Sequence, residues 1–430
     1  MSPESRSLAD WLAYIGRLHP QTIALGLARV QRVAGALGLH PSFPVITVGG
    51  TNGKGSVCAM LEAMLHHAGY RAGCYTSPHL ARYNERVRVG CREASDDDLA
   101  RAFAAVETAR GTAELTYFEF GTLAALRLFV EQKVEAAVLE VGLGGRLDAV
   151  NAFDADCAVV VSVDLDHMDY LGPDREAIGF EKAGIFRAGR PAVCADPAPP
   201  ASLTDHARKI GARLLAIGSD FGYERRAGDW QYWGPRGRHG GLPYPALRGG
   251  AQLANASAAI TALETLRERL PVAINDLRAG LLQAEAPGRF QVLPGRPLII
   301  LDVAHNPHAA RELAGNLDRL VPRGRTFAVF SMLKDKDIAG VIDAVRERID
   351  HWFVAALDAP RGAELGSMRE KLAAAGGELT ECASITEAYA RACDRAAGND
   401  RIVVFGSFYT VGAIVQLRAQ QGMGLAREQT

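Results

Sequence analysis

The chain has 430 residues, 48% of them hydrophobic and 23% charged, which is enough for two or three ordinary globular domains with ample core. A net charge of −1 argues against nucleic acid or an anionic membrane surface as the main partner, and no apolar run is long enough to span a bilayer. The seven cysteines are scattered, odd in number and free of Cys-x-x-Cys spacing, so neither a zinc site nor a disulfide framework is expected. Met1 to Pro20 lacks a signal-peptide core, and the expectation is a cytoplasmic protein with reduced thiols.

Trp11 to His19 makes a short amphipathic start, and Thr22 stands as a cap before the helical stripe Ile23, Leu27, Val30, Ala34 and Leu37. Phe43 to Val48 is short, apolar and β-branched, the pattern of a buried strand, and Val57 to Ala68 is apolar at helical spacing. Tyr70 to Tyr75 predicts a second strand running into Thr76-Ser77-Pro78-His79-Leu80. Ser95 to Asp98 opens a helix with an acidic first turn, and Phe118 to Glu131 predicts another. Strands follow at Glu135 to Val141, with Glu140 at the tip, and at Cys157 to Val163, just before Asp164-Leu165-Asp166-His167. Strands alternating with helices imply a parallel, doubly wound sheet. Polar residues at the carboxyl ends of such strands face the ligand crevice, so Ser77, Glu140 and His167 are expected to converge.

About Leu214 to Gly250 the pattern turns glycine-rich and aromatic (Trp230, Tyr232, Trp233), which predicts a β-rich insertion. Ala251 to Arg269 returns to a long helix, Pro287-Gly288-Arg289 marks a break, and Pro294 to Pro297 reads as a linker. A second α/β unit follows. Its strands are expected at Leu298 to Leu301, Thr326 to Phe330, Trp352 to Ala355 and Ile402 to Phe405. Its helices are expected at Pro307 to Leu320, Ile338 to Ile349, Ser367 to Ala375, Ile385 to Ala397 and Thr410 to Gln420. The fold class is therefore α/β: an N-terminal P-loop ATPase-type doubly wound domain over 1–293, then a smaller C-terminal Rossmann-like domain over 294–430. A cleft between them is a common place for ligands.

Thr47-Val48-Gly49-Gly50-Thr51-Asn52-Gly53-Lys54-Gly55-Ser56, between the first strand and its helix, has the layout of a phosphate cradle. Glycines let backbone N–H groups approach an anion, the helix N-terminus adds its positive end, and Lys54 reaches the outer phosphates. Ser56 can reach a phosphate oxygen or Mg²⁺. The common P-loop spacing would need glycine at Val48 and a hydroxyl at Gly55; here the hydroxyl comes one residue later. In Glu140-Val-Gly-Leu-Gly-Gly-Arg-Leu-Asp148 a dinucleotide fingerprint would need glycine at Leu147, so that reading fails. A carboxylate ending a buried strand is either salt-bridged or a metal ligand; beside a phosphate loop Mg²⁺ is favoured for Glu140. Mg²⁺ seldom chooses imidazole, which leaves His167 open between metal ligand and hydrogen-bonding loop residue. Lys182, at a helix end, is open between dipole compensation and a desolvated, reactive amine. Asn306 and Pro307 read as a helix cap and its first residue, which leaves Asp302 and His305 unexplained.

These stretches, with Tyr83-Asn-Glu-Arg-Val-Arg-Val89, Leu115-Thr-Tyr-Phe-Glu119, Glu181-Lys-Ala-Gly-Ile-Phe186, Pro287-Gly-Arg-Phe290, Asp302-Val-Ala-His-Asn-Pro307 and Gly406-Ser-Phe-Tyr-Thr410, resemble the bacterial folylpolyglutamate synthases of the Mur-ligase superfamily. Within that family they are most similar to the members that also make dihydrofolate. The resemblance implies an ATP-dependent amide ligase using two Mg²⁺. It implies metal ligation by Ser77, Glu140 and His167, and a carbamylated Lys182 presenting a carboxylate to the second Mg²⁺. It implies nucleotide contacts from Thr51, Asn52, Gly53, Lys54, Gly55, Ser56, Asn255, Arg289 and Asp302. It implies a pterin-acid pocket at Arg17, Leu18, His19 and Pro20, at Thr116, Tyr117, Phe118 and Glu119, and at Leu147, Asp148 and Ala149. His305 and Ser407 match positions near the glutamate. Phe180 and Val150 depart from the pattern, which has arginine and threonine there.

The reaction this implies has two steps. A carboxylate of dihydropteroate or a reduced folate attacks the γ-phosphate of ATP, and the α-amine of L-glutamate then displaces phosphate from the acyl phosphate. These small molecules are the expected partners of a monomer. The alternatives are a ligase that only extends folates, a cell-wall Mur ligase and a non-catalytic nucleotide switch. A cell-wall ligase would need a further N-terminal domain, and only about 42 residues precede the first strand.

Overall fold

The structure, a computed structural model, describes residues 6–19, 21, 23–320, 324–359 and 361–423. Thr22 and Pro20, expected as a helix cap and a pocket residue, lie outside them.

Among the described residues the first sheet has eight strands. They are β1 (Val45–Gly49), β2 (Ala72–Tyr75), β3 (Val87–Val89), β4 (Arg92–Glu93), β5 (Ala136–Glu140), β6 (Cys157–Val160), β7 (Pro191–Cys194) and β8 (Arg213–Ala216), in the order β4-β3-β2-β5-β1-β6-β7-β8. Pairing is parallel from β2 through β8, and β3 and β4 add antiparallel at one edge. Every residue of β1 is buried, as a central parallel strand covered on both faces requires. One face carries a core that runs from Trp11 through Phe103 and Phe120 to Ile185. The other packs on the helices Lys54–His67, Gln252–Thr265 and Ile274–Gln283.

The aromatic insertion is a small antiparallel sheet, β9 (Gly222–Arg225), β10 (Trp230–Gly234) and β11 (Gly237–Leu242). It begins later than expected: residues 213–216 pair with β7 and close the edge of the first sheet. Trp230 and Tyr232 are fully buried, and Tyr232 Oη donates to Glu264 at 2.8 Å, which fastens the insertion to the helix Gln252–Thr265.

The second sheet holds β12 (Gln291–Leu293), β13 (Leu298–Leu301), β14 (Thr326–Phe330), β15 (His351–Val354), β16 (Leu379–Glu381) and β17 (Arg401–Phe405), in the order β12-β13-β17-β14-β15-β16. Pro294 to Pro297 is not a linker. Gln291 pairs with Leu301 and Leu293 with Ile299, so these prolines sit in the turn of a hairpin and the second sheet begins at Gln291. The other strands are parallel, with cores on both faces.

In parallel sheets the loops at the strands' carboxyl ends gather on one side. Here the loops after β1, β2, β5 and β6 meet those after β13, β14 and β17 across one cleft of about 850 Å³.

Candidate active site

The phosphate loop is held open by its backbone. Gly50 and Gly53 have φ of +145° and +86°, and a Cβ at Gly53 would stand 2.7 Å from Val161 Cγ1, so only glycine fits. Thr51 N donates to Ser162 O at 2.7 Å, Asn52 N to Ser162 Oγ at 3.0 Å, and Asp164 N to Thr51 Oγ1 at 3.0 Å. Lys54 opens the following helix and folds back, its Nζ donating to Gly50 O and Thr51 O at 3.0 and 3.2 Å. Burial lowers its pKa, although Glu140 and Asp166 pull the other way. Gly55 faces Arg289, whose Nη2 lies 3.3 Å from where a Cβ would be. Ser56 and Asn255 are buried and do not line the cleft; they support the loop from behind through Gln252.

Glu140 ends β5 with 3% exposure, and burial raises its pKa. Its Oε2 accepts from Ser77 N at 3.0 Å, and Lys54 and Arg289 are the nearby positive charges. His167 sits in the left-handed region at φ +51°, and its Nε2 faces Lys336 Nζ at 3.2 Å. Burial brings its pKa down to about 4, so the ring is neutral. Asp166 takes Lys336 Nζ at 2.6 Å and Asn306 Nδ2 at 3.1 Å, with His305 Nε2 3.6 Å away. Burial alone would raise its pKa, but His305, His167 and Lys336 hold its carboxyl well below the usual range.

The buried carboxylate of Glu140 and the serine suit a hard divalent cation, while the neutral imidazole nitrogen of His167, already turned toward a positive charge, is the softer donor of the three. Among the described residues no three His, Cys, Asp or Glu side chains form a ready-made cage.

From the second sheet, Asp302 accepts from Phe290 N at 2.9 Å and Ala304 N at 2.8 Å, while burial raises its pKa to about 6. Asn306 caps the helix Pro307–Arg319 through Ala309 N at 2.9 Å, as expected. His305 Nδ1 lies 2.8 Å from Val303 O, which turns Nε2 into the cleft toward Asp166. Arg289 stacks its guanidinium 4.8 Å from the Phe408 ring, and its Nη1 is buried with no hydrogen-bond partner among the described residues. A buried donor without an acceptor is costly unless a ligand supplies one, and a phosphate oxygen is the apt acceptor beside this loop. Ser407 lines the cleft and caps the helix Phe408–Gln420.

On the far wall, Thr116 and Glu119 form a capping box for the helix Tyr117–Glu131, and Glu119 also pairs with Arg29 at 2.8 Å. Tyr117, Phe118, Leu147, Asp148 and Ala149 line the cleft with them. Asp148 is not the partner of Arg146, which pairs with Glu181 at 2.7 Å. Its oxygens accept from Leu143 N and Val150 N, and burial raises its pKa to about 7. His19 reaches the cleft, whereas Arg17 and Leu18 do not. Arg17 Nε is spent on Ala13 O at the end of the helix Leu8–Ile15, and Leu18 packs on the first core. Lys182 is 3% exposed, so it is no surface dipole partner. Burial and then Lys54 lower its pKa to about 7, against Asp166 and Asp148.

Asp166 and Lys336 were not singled out by sequence reasoning. The acidic pair before His167 was a signal for the first. Lys336 lies in a short charged run, Lys334-Asp-Lys-Asp337, that reads as a solvated loop, yet its side chain is only 7% exposed.

Comparison with known proteins agrees with this geometry. Residues 48–263 match the Mur ligase middle domain and residues 288–408 the Mur ligase, glutamate ligase domain. The dihydrofolate synthase/folylpolyglutamate synthase of Escherichia coli is 45% identical, with 97% of each chain covered. E. coli FolC in complex with DHPP and ADP superposes with a TM-score of 0.93 at 44% identity, over 97% of this chain and 99% of that one. The bifunctional folylpolyglutamate synthase/dihydrofolate synthase of Yersinia pestis, complexed with AMPPNP and Mn ion, does so with a TM-score of 0.90 at 45% identity, over 97% and 99%. This chain therefore belongs to the dihydrofolate synthase/folylpolyglutamate synthase family of ATP-dependent Mur ligases.

Proposed function

We propose that this enzyme joins L-glutamate to dihydropteroate and to reduced folates, with ATP converted to ADP and phosphate. The observation that carries the reading is the meeting, across one cleft, of the Lys54 phosphate loop with Asp302, His305 and Arg289. An acid carboxylate oxygen attacks the γ-phosphorus and ADP leaves. The glutamate α-amine then attacks the acyl carbon, giving up a proton, and phosphate departs.

Positioning and charge neutralisation do most of the work in phosphoryl transfer. Lys54 moves from its own loop carbonyls to the outer phosphates. Arg289 supplies its unpaired Nη1 to a phosphate oxygen, and Asp302 orients the nucleotide. Ser77, Glu140 and His167 would hold a divalent cation, which neutralises phosphate charge when bound. The neutral fraction of Lys182 is the species that adds CO₂, releasing a proton and leaving a carbamate that could serve a second cation. The wall of Tyr117, Phe118, Leu147, Asp148 and Ala149 takes the pterin acid, while His305 and Ser407 face the glutamate. Closure of the two units shields the acyl phosphate from water.

The chain acts in the cytoplasm as a monomer in this reading, and its seven free thiols accord with a reducing compartment; among the described residues no helix is long and apolar enough to cross a membrane. The two units join at the turn Pro287–Phe290, because β12 already belongs to the second sheet.

The test is ADP release with glutamate and a panel of acids: dihydropteroate, reduced folates and a UDP-muramoyl acid. Release with the first two and not the third is expected. Release with folates alone would reduce the enzyme to a folate-extending synthase, and ATP binding without glutamate-dependent release would sink the ligase reading.

A further inference from the structure

Arg86 is the last residue of the 3₁₀ turn Tyr83–Arg86 that leads into β3, and its side chain lines the cleft. Its guanidinium carbon stands 5.3 Å from the centre of the Tyr83 ring and 5.4 Å from that of Tyr117. Those rings pack edge-on at 5.9 Å, and Tyr83 is buried. Arg86 Nε donates to His79 Nδ1 at 2.8 Å. Two aromatic contacts and one hydrogen bond thus fix the plane of the fork.

Among the described residues no carboxylate pairs with it. Glu85, next in sequence, is saturated by the N–H groups of Leu80, Ala81 and Arg82, each at 2.7 Å. Arg88, two residues on, is neutralised by Glu62 at 2.7 Å. Among the described residues Arg86 makes no ion pair, and neither Nη1 nor Nη2 has a protein acceptor. A rigid, unpaired guanidinium fork facing a ligand cleft matches the geometry of a planar carboxylate, which it can bind with two parallel hydrogen bonds.

The substrates offer two kinds of carboxylate. Dihydropteroate has one, and it must reach the γ-phosphate. A folate has two on its terminal glutamate: one is phosphorylated and the other takes no part. Binding the reacting group at Arg86 would withhold the nucleophile, whereas binding the idle one would aim its neighbour. Arg86 also belongs to the first unit and touches Tyr117 on the acid wall, while His305 and Ser407 on the glutamate side come from the second. We propose that Arg86 is the receptor for the non-reacting carboxylate of a glutamate-tailed acid substrate. It is a specificity residue that favours folate extension relative to dihydropteroate ligation. This rests on the functional reading above.

The experiment compares the full-length wild type with Arg86→Gln. The probes are tetrahydrofolate monoglutamate and its analogue whose non-reacting carboxylate is a carboxamide, bound at equilibrium with ADP and without glutamate. The wild type is expected to prefer the carboxylate by about 10- to 100-fold, the worth of a charge-assisted contact. In Arg86→Gln that preference collapses to within about threefold, on the same scale. In turnover, kcat/KM for the folate falls at least tenfold more than kcat/KM for dihydropteroate, again about one such contact. Three results overturn the proposal: a preference kept in Arg86→Gln, equal losses for folate, carboxamide and dihydropteroate, or a raised glutamate KM with both acids. Absence of glutamate-dependent ADP release by the wild type with either acid tells separately against the functional reading.

Discussion

Asn52, in the phosphate loop, and Asn306, the cap of the helix after β13, exchange side-chain hydrogen bonds across the cleft. Asn52 Nδ2 donates to Asn306 Oδ1 at 3.2 Å, and Asn306 Nδ2 returns to Asn52 Oδ1 at 3.1 Å. Asn306 Nδ2 also reaches Asp166. One amide thus caps a helix, touches the loop that cradles phosphate and braces the carboxylate beside His167. Asn306→Asp separates these roles. Aspartate caps a helix as well as asparagine, but it cannot donate to Asn52 and it meets Asp166 with like charge. Ligation should fall by tenfold or more, on the order of one charged contact, and the buried like-charge contact with Asp166 should also lower Tm at neutral pH. Turnover near that of the wild type would remove this pair from the mechanism.

Lys54→Ala tests the phosphate loop. Among the described residues the lysine's side chain donates only within its own loop, so the fold should survive its loss. Losing a charge-assisted contact to the transferring phosphate should raise the barrier by about 2–4 kcal/mol or more, by analogy with a lost oxyanion donor. Full turnover by a soluble Lys54→Ala protein at saturating ATP would refute the assignment.

Lys182 gives a prediction in stability as well as activity. Its folded pKa is lowered from 10.5 to about 7, so between those values the unfolded chain holds a proton that the folded chain has shed. Stability therefore rises with pH across this window; the burial penalty is complete below pH 7 and gone by 10.5. Lys182→Met should flatten that slope in urea unfolding at pH 7 and 9. Lys182→Ala should abolish ligation, with partial rescue by a short-chain carboxylate at high concentration. Undiminished activity after thorough removal of CO₂ and bicarbonate would count against the carbamate.

Asp148 should matter more for dihydropteroate than for folates. Its carboxylate pins Leu143 N and Val150 N, so Asp148→Asn, which keeps one acceptor, is a gentler probe than alanine. The selectivity is expected in both variants and is read from kcat/KM for the two acids. The pKa of about 7 is raised above the ordinary 3.8, so the folded state holds its proton more tightly, and this residue's contribution makes stability fall as pH rises from 3.8 to 7. Equal losses with both acids would mean a shared pocket.

Much of the fold was legible because the signals are local. The β-branched run of β1, the glycines of the phosphate loop and the apolar stripe of Lys54–His67 all show within a few residues of sequence. So does the placement of Ser77, Glu140 and His167 after successive strands, from which convergence follows by the rule for parallel sheets. The short strands β3, β4, β7, β12 and β16 escaped notice: each is only a few residues long, and β12 is followed by prolines that read as a linker until its pairing with β13 is seen.

The residue chemistry of the phosphate loop, and the two-unit α/β order, came from the sequence by itself, because backbone freedom and hydrophobic period are properties of neighbours in the chain. Only tertiary structure decided the charge state and company of the site. Lys182 is an ordinary amine until its helix is packed against the sheet and Lys54 is brought near. Asp166 and Lys336 are 170 residues apart, and nothing local in either segment marks them as a buried pair. Arg17 was placed in the pocket by motif, but its side chain does not line the cleft and its Nε donates to Ala13 O at the end of the first helix. Burial and long-range pairing set pKa values and ligand reach, and both are created when separate elements close on one another.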